Sequence, residues 1–251
     1  MQKLIGSGID VNIQSHEGHT PLHLAVANMH DDVITFLLSV PTINPSIPNF
    51  RHRTSLHLAV LNNDVNSIVV LLKAGANISA KDEQGRTPVF VAADKRRIEP
   101  LRALISAGAD VSAKDNDGEA PIHAAAWHGY VDVILLLIEA GADVSSCWDT
   151  GFNALHLAAW NWRVDVAKAL IEAGTNVSAV ASDGRTPLDL AVEQGHSSIA
   201  RMLIEAGADV SLRTNEGETA MDFAHKFPNA NKKVIIEVLQ EAEADLGWVE
   251  V

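Results

Sequence analysis

The sequence is poor in cysteine and in positive charge, and each shortage argues against a class of protein. A single cysteine, Cys147, cannot form an internal disulfide bond, which favours a reducing compartment and predicts a cytoplasmic protein, with the nucleus as the alternative. Lysine and arginine number 19 against 32 aspartates and glutamates, a formal net charge of −13. This balance argues against binding to nucleic acid or anionic lipid, because both need concentrated positive charge.

Long apolar runs are also missing from the sequence. No stretch approaches the roughly 20 apolar residues that cross a bilayer, and residues 1–6 lack the apolar stretch of a signal peptide. The sequence therefore predicts no direct insertion into a membrane. Hydrophobic residues still make up 47% of the chain, which is enough for a packed core, so we expect a folded protein.

A tetrapeptide of the type Thr-Pro-Leu-His recurs along the chain. Its starting positions are separated once by 34 residues and otherwise by 33, and they are Thr20, Thr54, Thr87, Ala120, Asn153, Thr186 and Thr219. A second marker, close to Leu-Ile-Glu-Ala-Gly-Ala-Asp, has the same period and begins at Leu71, Leu104, Leu137, Leu170 and Leu203. Two independent markers with one period indicate internal repeats.

Each period predicts two short helices and a turn. Threonine followed by proline supplies a capping hydroxyl and a residue that suits the first helical position. Alanine follows five residues later in every repeat, which indicates closely packed helices, at Ala25, Ala59, Ala92, Ala125, Ala158, Ala191 and Ala224. The second helix carries paired apolar residues that begin at Leu37, Leu71, Leu104, Leu137, Leu170 and Leu203. A glycine suited to a left-handed conformation ends this helix in five repeats, and a second glycine marks the turn, where His52 replaces it once.

The motif Thr-Pro-Leu-His-x-Ala and the exit Gly-Ala-Asp resemble those of the ankyrin repeat family, over roughly residues 4–245. The resemblance implies an all-α ankyrin-repeat solenoid of paired antiparallel helices with β-hairpin-like turns, in which turns and first helices line a concave face. We therefore expect the tail of a preceding repeat at residues 1–10, six ankyrin repeats at 11–214 and a seventh, C-terminal capping repeat at 215–251. The incomplete repeat at the front predicts that the chain is part of a longer protein.

Function must reside at positions that the repeat does not dictate. The resemblance places these positions beside the turn glycine and at the end of the first helix. The candidates for protein binding are Phe50, Arg51, Arg53, Arg86, Lys95, Arg96, Trp127, His128, Phe152, Trp160 and Trp162. The last repeats carry acidic residues at the equivalent positions, so the predicted groove changes from basic through aromatic to acidic, ending with Asp183, Glu193, Glu216 and Glu218.

The candidate residues also predict the chemistry of the partner. Tryptophan and arginine are among the residue types that most often dominate binding energy at interfaces. The expected partner is a protein or peptide with an acidic part that faces the arginines and an apolar anchor for the tryptophans. The alternative is that the indole rings only pack over neighbouring helices and stiffen the stack. A monomer is expected rather than an oligomer.

Motifs of catalysis and metal binding are missing from the sequence. There is no nucleophile with its base, no phosphate-binding loop and no zinc motif, so no enzyme activity, cofactor or metal site is predicted. His16, His19 and His23 are close enough to suggest a metal site. However, His23 belongs to a set that recurs with the repeat and includes His57, His123 and His156. Such recurrence indicates a structural role, namely hydrogen bonding between repeats.

Three functions are consistent with this pattern. The leading prediction is a non-catalytic protein–protein interaction scaffold that binds a protein or peptide in its concave groove. One alternative is a targeting or regulatory ankyrin segment of a larger multidomain enzyme, receptor or channel. Another is a structural spacer, which should not show the clustered non-consensus residues seen here. The exit at residues 39–48 contains three prolines and is either a loop variant without function or a loop that contacts a partner.

Overall fold

The computed structural model describes residues 10–228 and 230–245, and fourteen helices lie in this part of the chain. Its one β-type contact is an isolated bridge between Cys147 and Asn153, so the all-α prediction is confirmed. The helices follow one another in pairs: α1 (Pro21–Ala27) and α2 (Asp31–Leu38), α3 (Ser55–Leu61) and α4 (Val65–Lys73), α5 (Pro88–Asp94) and α6 (Ile98–Ser106), α7 (Pro121–His128) and α8 (Val131–Glu139), α9 (Ala154–Trp160) and α10 (Val164–Glu172), α11 (Pro187–Glu193) and α12 (Ser197–Glu205), α13 (Ala220–Lys226) and α14 (Lys232–Asp245).

The chain divides into two compact units, Met1–Asn116 and Asp117–Val251, here called unit 1 and unit 2. Helices α1 to α6 belong to unit 1, and α7 to α14 belong to unit 2. The division into a tail, six repeats and a cap stays a prediction from the period. Apart from Asp10, the expected tail lies outside the described residues, as do residues 246–251 of the expected cap.

The first helix of each pair begins as its capping residue predicts. The side-chain oxygen of Thr20 accepts a hydrogen bond from the backbone N–H of His23, and Thr87, Asn153, Thr186 and Thr219 cap their helices in the same way. Proline occupies the first turn of four of these helices, where no amide donor is needed. Helix α7 begins after Ala120, which has no oxygen to offer.

The recurring alanines and leucines form the core. None of the seven alanines is more than 4% exposed, because a methyl group lets neighbouring helices approach closely. The recurring leucines of the second helices are no more than 1% exposed. The packing predicted from the period is therefore confirmed, and positions outside it are left to meet solvent or a partner.

The turn glycines are required by backbone conformation and by space. Gly85 has a φ of +79°, and a Cβ added to it would lie 2.7 Å from the backbone nitrogen of Asn116. His52 holds the same left-handed conformation, with a φ of 56°, in the repeat that lacks this glycine. A histidine in that conformation is uncommon, so the turn geometry overrides the preference of the residue.

The proline-containing exit of the first repeat is tied down by side chains of the turn before it. Asn12 donates to the Thr42 carbonyl at 2.8 Å and accepts from the Asn44 N–H at 2.8 Å. Gln14 donates to the Pro48 carbonyl at 2.9 Å. These bonds satisfy the backbone of an irregular segment, which favours the interpretation of this exit as a structural loop variant.

Candidate protein-interaction surfaces

The recurring histidines join adjacent repeats within each unit. The Nδ1 atom of His23 accepts the Thr20 N–H at 3.1 Å, and its Nε2 donates to the Arg53 carbonyl of the next repeat at 2.9 Å. His57 Nε2 donates in the same way to Arg86 at 3.1 Å and His156 Nε2 to Arg185 at 3.2 Å, whereas His123 Nε2 donates to a different carbonyl, that of Ser146, at 2.7 Å. The predicted structural role of these histidines is confirmed.

Burial keeps three of these histidines, His23, His57 and His156, neutral. It lowers the pKa of His23 and His57, and it lowers the pKa of His156 to about 4. Asp189 replaces the histidine in the sixth repeat and accepts from the N–H and the hydroxyl of Thr186, both at 2.8 Å. Burial raises the pKa of Asp189 to about 6. The shift is opposite to that of a histidine at the same position, because burial disfavours the charged form of both residues.

The two units differ sharply in charge. Residues 1–116 contain 11 acidic and 11 basic residues, whereas residues 117–251 contain 21 acidic and 8 basic residues. The whole formal charge of −13 therefore belongs to unit 2. A partner of unit 1 meets a unit without net charge, whereas a partner of unit 2 meets a unit with a large negative net charge.

Two of the predicted arginines converge on one buried carboxylate in unit 1. Asp82 lies 2.8 Å from Arg86 Nη2 and 3.7 Å from Arg53 Nε, and its own side chain is fully buried. Burial alone would raise the pKa of Asp82, but the hydrogen bonds and charge of Arg86 outweigh burial and hold this pKa below its usual range. Lys95 pairs with Asp94 at 3.0 Å, and Arg86 also lies 3.9 Å from Asp94. Much of the predicted basic charge is thus neutralised inside the unit.

The other predicted residues of unit 1 lie on its surface. Phe50 is 68% exposed at a turn, where its N–H donates to the Glu17 carbonyl. Arg51 follows it in the same turn and is exposed. Arg96 is exposed in the loop after α5, with a φ of 51°. All three side chains are exposed to solvent.

In unit 2 the structure brings Phe152 and Trp160 together around an arginine. The Cζ atom of Arg185 lies 5.6 Å from the ring centre of Phe152 and 5.9 Å from that of Trp160. The guanidinium is held by Asp183 at 2.7 Å and by Glu193 at 3.1 Å. Arg185 was missed from the sequence, although it follows a turn glycine as Arg86 does. We call these five residues the arginine sandwich.

The three predicted tryptophans lie in different surroundings. Trp160 contacts Arg185, whereas Trp162 stacks on His196 with ring centres 5.9 Å apart. Trp127 is 43% exposed, and its carbonyl accepts from Arg163 Nε at 3.1 Å. In the described part of the chain no ring contact joins these tryptophans, so they do not form one aromatic cluster. The remaining candidate of this group, His128, is exposed and stacks on Tyr130 at 5.1 Å.

The predicted acidic end lines a cavity of about 330 Å³ beside the arginine sandwich. Four carboxylates and two cations line it, and Lys226 pairs with Glu218 at 2.6 Å. The two arginine-bound carboxylates of the arginine sandwich also belong to its wall. The acidic end is therefore a mixed surface with an excess of negative charge.

The described residues contain neither a membrane-spanning helix nor a metal-binding cluster. None of their helices combines the length and the apolar character needed to cross a bilayer. No group of three or more histidine, cysteine, aspartate or glutamate side chains there is arranged to hold a metal ion.

Comparison with known families identifies the repeat. A model of ankyrin repeats (3 copies) matches residues 1–82, 75–147 and 117–181, and a model of ankyrin repeats (many copies) matches residues 170–224. The chain belongs to the ankyrin repeat family. Its structure resembles the crystal structure of the ankyrin repeat domain of Bcl-3, described as a unique member of the IκB protein family, with a TM-score of 0.82 and 28% identity. The match covers 90% of this chain and 100% of that one.

Curated relatives match shorter segments of the chain. The nuclear factor NF-κB p105 subunit of Mus musculus is 32% identical over 90 residues, 35% of this chain and 9% of that protein. A probable serine/threonine-protein kinase of Dictyostelium discoideum is 32% identical over 85 residues, 32% of this chain and 10% of that protein. Rabankyrin-5 of Mus musculus is 29% identical over 128 residues, 37% of this chain and 11% of that protein. The matched segment thus spans about a tenth of each relative.

Proposed function

We propose that this chain is a non-catalytic interaction scaffold that binds a protein or peptide through the concave groove formed by turns and first helices. Ankyrin repeats are typical of protein–protein interaction domains, and the resemblance to the Bcl-3 domain supports such a role. The binding residues of the groove are the candidates of the sequence pattern other than Arg53, Arg86 and Trp162, with Arg185 added. The proposal locates the protein in the cytoplasm, with the nucleus as the alternative, and treats it as a monomer.

The arginine sandwich is the observation that carries this proposal. Arginine and tryptophan contribute most to binding when their side chains are held in place and packed together. Arg185 is fixed by two carboxylates and lies over two rings, although its side chain remains 27% exposed. Such a group is ordered before a partner arrives, which reduces the entropy lost on binding.

The chemistry of the partner follows from what each unit leaves exposed. Phe152 and Trp160 supply an apolar anchor site in unit 2. The exposed cations of unit 1, among them Arg51, favour an acidic part in the same partner. Because Arg53 and Arg86 are already paired with Asp82, we assign them mainly to shaping the turn.

A second candidate function is a targeting or regulatory segment of a larger multidomain enzyme, receptor or channel. The observation that favours it is the small share of each relative that the match covers, 9% of the p105 subunit and 11% of Rabankyrin-5. In such a protein the repeats would bring a separate domain to its target. Isolation of the complete cellular protein and measurement of its mass and domains would decide between the two.

Substitution of Trp160 tests the groove. We expect Trp160→Ala to weaken binding of the cellular partner by about 30-fold, the usual effect of removing a dominant interface residue. Partners recovered on the wild-type chain would be quantified by mass spectrometry and then titrated against both proteins.

Leu135→Ala is the matched control, since Leu135 is 52% exposed and lies on the second helix α8, away from the groove positions. Circular dichroism should show an unchanged helix content in both variants. Retention of every specific partner by a folded Trp160→Ala variant would contradict the groove proposal and favour a purely packing role for the ring.

A further inference from the structure

A loop between the paired helices carries one residue with a left-handed backbone. Gly129 and Gly195 occupy this position in unit 2, with φ of 83° and 77°, whereas Met29, Asn63 and Arg96 occupy it in unit 1, with φ of 54°, 59° and 51°. Trp162 occupies it in the pair between those of the two glycines, with a φ of 56°. A bulky side chain is strained in this conformation, and glycine is not. The backbone therefore does not account for a tryptophan at this position.

Burial does not account for Trp162 either. The side chain is 63% exposed, more than any other large hydrophobic residue in the described part of unit 2. A large exposed ring gains little from the hydrophobic effect in the free protein. Residues held in strained backbone conformations cluster at binding sites and active sites.

The indole ring is held in one orientation. It stacks on His196 at an interplanar angle of 16°, and His196 Nδ1 donates to the Ala159 carbonyl at 2.9 Å. The indole N–H also lies 3.4 Å from the Ser198 hydroxyl oxygen. A ring ordered in this way loses little freedom when a partner packs against it.

A cavity of about 310 Å³ adjoins the ring and has mainly apolar walls, formed by Gly129, Val131, Val164, Val166 and the flanking Arg163 and Asp165. The side chain of Arg163 packs over Gly129. A Cβ at position 129 would therefore lie only 2.7 Å from Arg163 Cδ. Asp165 is exposed and makes no salt bridge among the described residues. The volume suits one large apolar side chain, with a carboxylate at the rim.

We propose that Trp162 and this cavity form a second docking surface, which receives an apolar side chain flanked by lysine or arginine from a basic segment of a partner protein. The charge of −13 carried by unit 2 attracts such a segment, and Asp165 pairs with a cation beside the apolar residue. This surface is separate from the arginine sandwich: Trp160 contacts Arg185, which precedes α11, whereas Trp162 contacts His196, which follows α11.

The probe for this surface is a blocked synthetic peptide with a central leucine flanked on both sides by lysines. Titration into the ¹⁵N-labelled full chain should shift the indole N–H signal of Trp162 before those of the other tryptophans. A peptide with glutamates in place of the lysines should not bind. Binding of the lysine peptide should weaken as salt rises, since exposed charges are screened.

Trp162→Gly is the decisive variant, because glycine already occupies this position at Gly129 and Gly195. We expect it to weaken peptide binding by about 30-fold while its Tm stays within about 4 °C of the wild type. Trp162→Ala should lose binding equally but be less stable than Trp162→Gly, since it keeps a Cβ in the strained conformation. Trp160→Ala should bind the peptide as the wild type does.

Three results would overturn the inference. One is unchanged affinity of the folded Trp162→Gly variant, and another is equal affinity for the lysine and glutamate peptides. The third is the absence of any shift at Trp162 with millimolar lysine peptide. Loss of the cellular partner on Trp160→Ala remains a separate measurement, so the groove and this surface can fail independently.

Discussion

Unit 1 and unit 2 are built from the same repeat but use their charges in different ways. Unit 1 has equal numbers of acidic and basic residues, and its arginines converge on the buried Asp82. Unit 2 has 21 acidic against 8 basic residues, and its Arg185 pairs with the exposed Asp183 and lies near two aromatic rings. Similar arginines after a turn glycine thus stabilise a turn in one unit and build a surface in the other.

The largest expected effect comes from removing the carboxylate on which unit 1 depends. Asp82→Ala leaves Arg53 and Arg86 without their shared partner and removes acceptors for the N–H groups of Gln84 and Arg86. We expect a loss of about 3 to 5 kcal/mol in the free energy of unfolding. Arg185→Ala in unit 2 should cost only about 1 kcal/mol, because that ion pair is partly exposed. Urea unfolding followed by circular dichroism measures both.

Asp82→Asn separates the charge from the turn. Asn49 occupies the equivalent position one repeat earlier and accepts from the N–H groups of Arg51 and Arg53, both at 3.0 Å. An asparagine at position 82 should therefore keep the turn and lose only the ion pair, at a cost of roughly 1 to 2 kcal/mol. If Asp82→Ala proved no more harmful than Arg185→Ala, the contrast between the units would not hold.

The next largest expected effect is that the stability of the two units responds differently to a fall in pH. The pKa of His23 and His57 in unit 1 lies below the ordinary value of 6.5, so the unfolded chain binds more protons and stability falls as the pH drops below 6.5. In unit 2 His156, with a pKa of about 4, contributes the same loss between pH 6.5 and 4. Asp189 opposes it there, because its folded pKa of about 6 exceeds 3.8 and protonation between these values favours the folded chain.

Hydrogen exchange between pH 6.5 and 4, corrected for intrinsic rates, measures this difference. Protection in α1 and α3 should decline at higher pH than protection in α9 and α11, because Asp189 opposes the loss due to histidine only in unit 2. Asp189→Asn removes the opposing group and should make unit 2 as acid-sensitive as unit 1. Parallel loss of protection in both units of the wild type would refute this account.

The smallest expected effect concerns a helix cap. All three first helices of unit 1 begin after a threonine, whereas α7 in unit 2 begins after Ala120, which is 1% exposed. Ala120→Thr should supply the missing oxygen and stabilise the protein by about 1 kcal/mol. Thr87→Ala, which removes the hydroxyl that accepts from the Phe90 N–H, should have the opposite effect. Thermal unfolding of the two variants would show whether caps contribute similarly in both units.

Much of the fold could be predicted because the capping and core residues recur at the same positions of each repeat. Ala158 and Leu170 were assigned to the core by their period alone, and both are fully buried. The histidine links were also predictable, since His23 recurs in phase with the helices. These features depend on residues close in sequence or one repeat apart, which a period of 33 makes visible.

The candidate surfaces were less accessible to sequence reasoning. Trp160 and Trp162 differ by two positions, yet one lies on a helix end beside Arg185 and the other in a left-handed loop on His196. The sequence pattern predicted that Arg86 binds a partner, but its guanidinium is paired with Asp82, which precedes it in the same turn. Side-chain direction and internal ion pairing depend on the folded backbone, and neither recurs with the period.

The replacement of histidine by Asp189 affects the order in which the helix pairs unfold. A histidine Nε2 bond is gained only when the next repeat is in place, so it acts as a coupling between neighbours in a one-dimensional array. Asp189 bonds only to Thr186 within its own repeat, so helices α13 and α14 lack this coupling to the helices before them. Helices α13 and α14 should therefore unfold in a separate step, while the helix pairs of unit 2 that are joined by histidine hydrogen bonds unfold together.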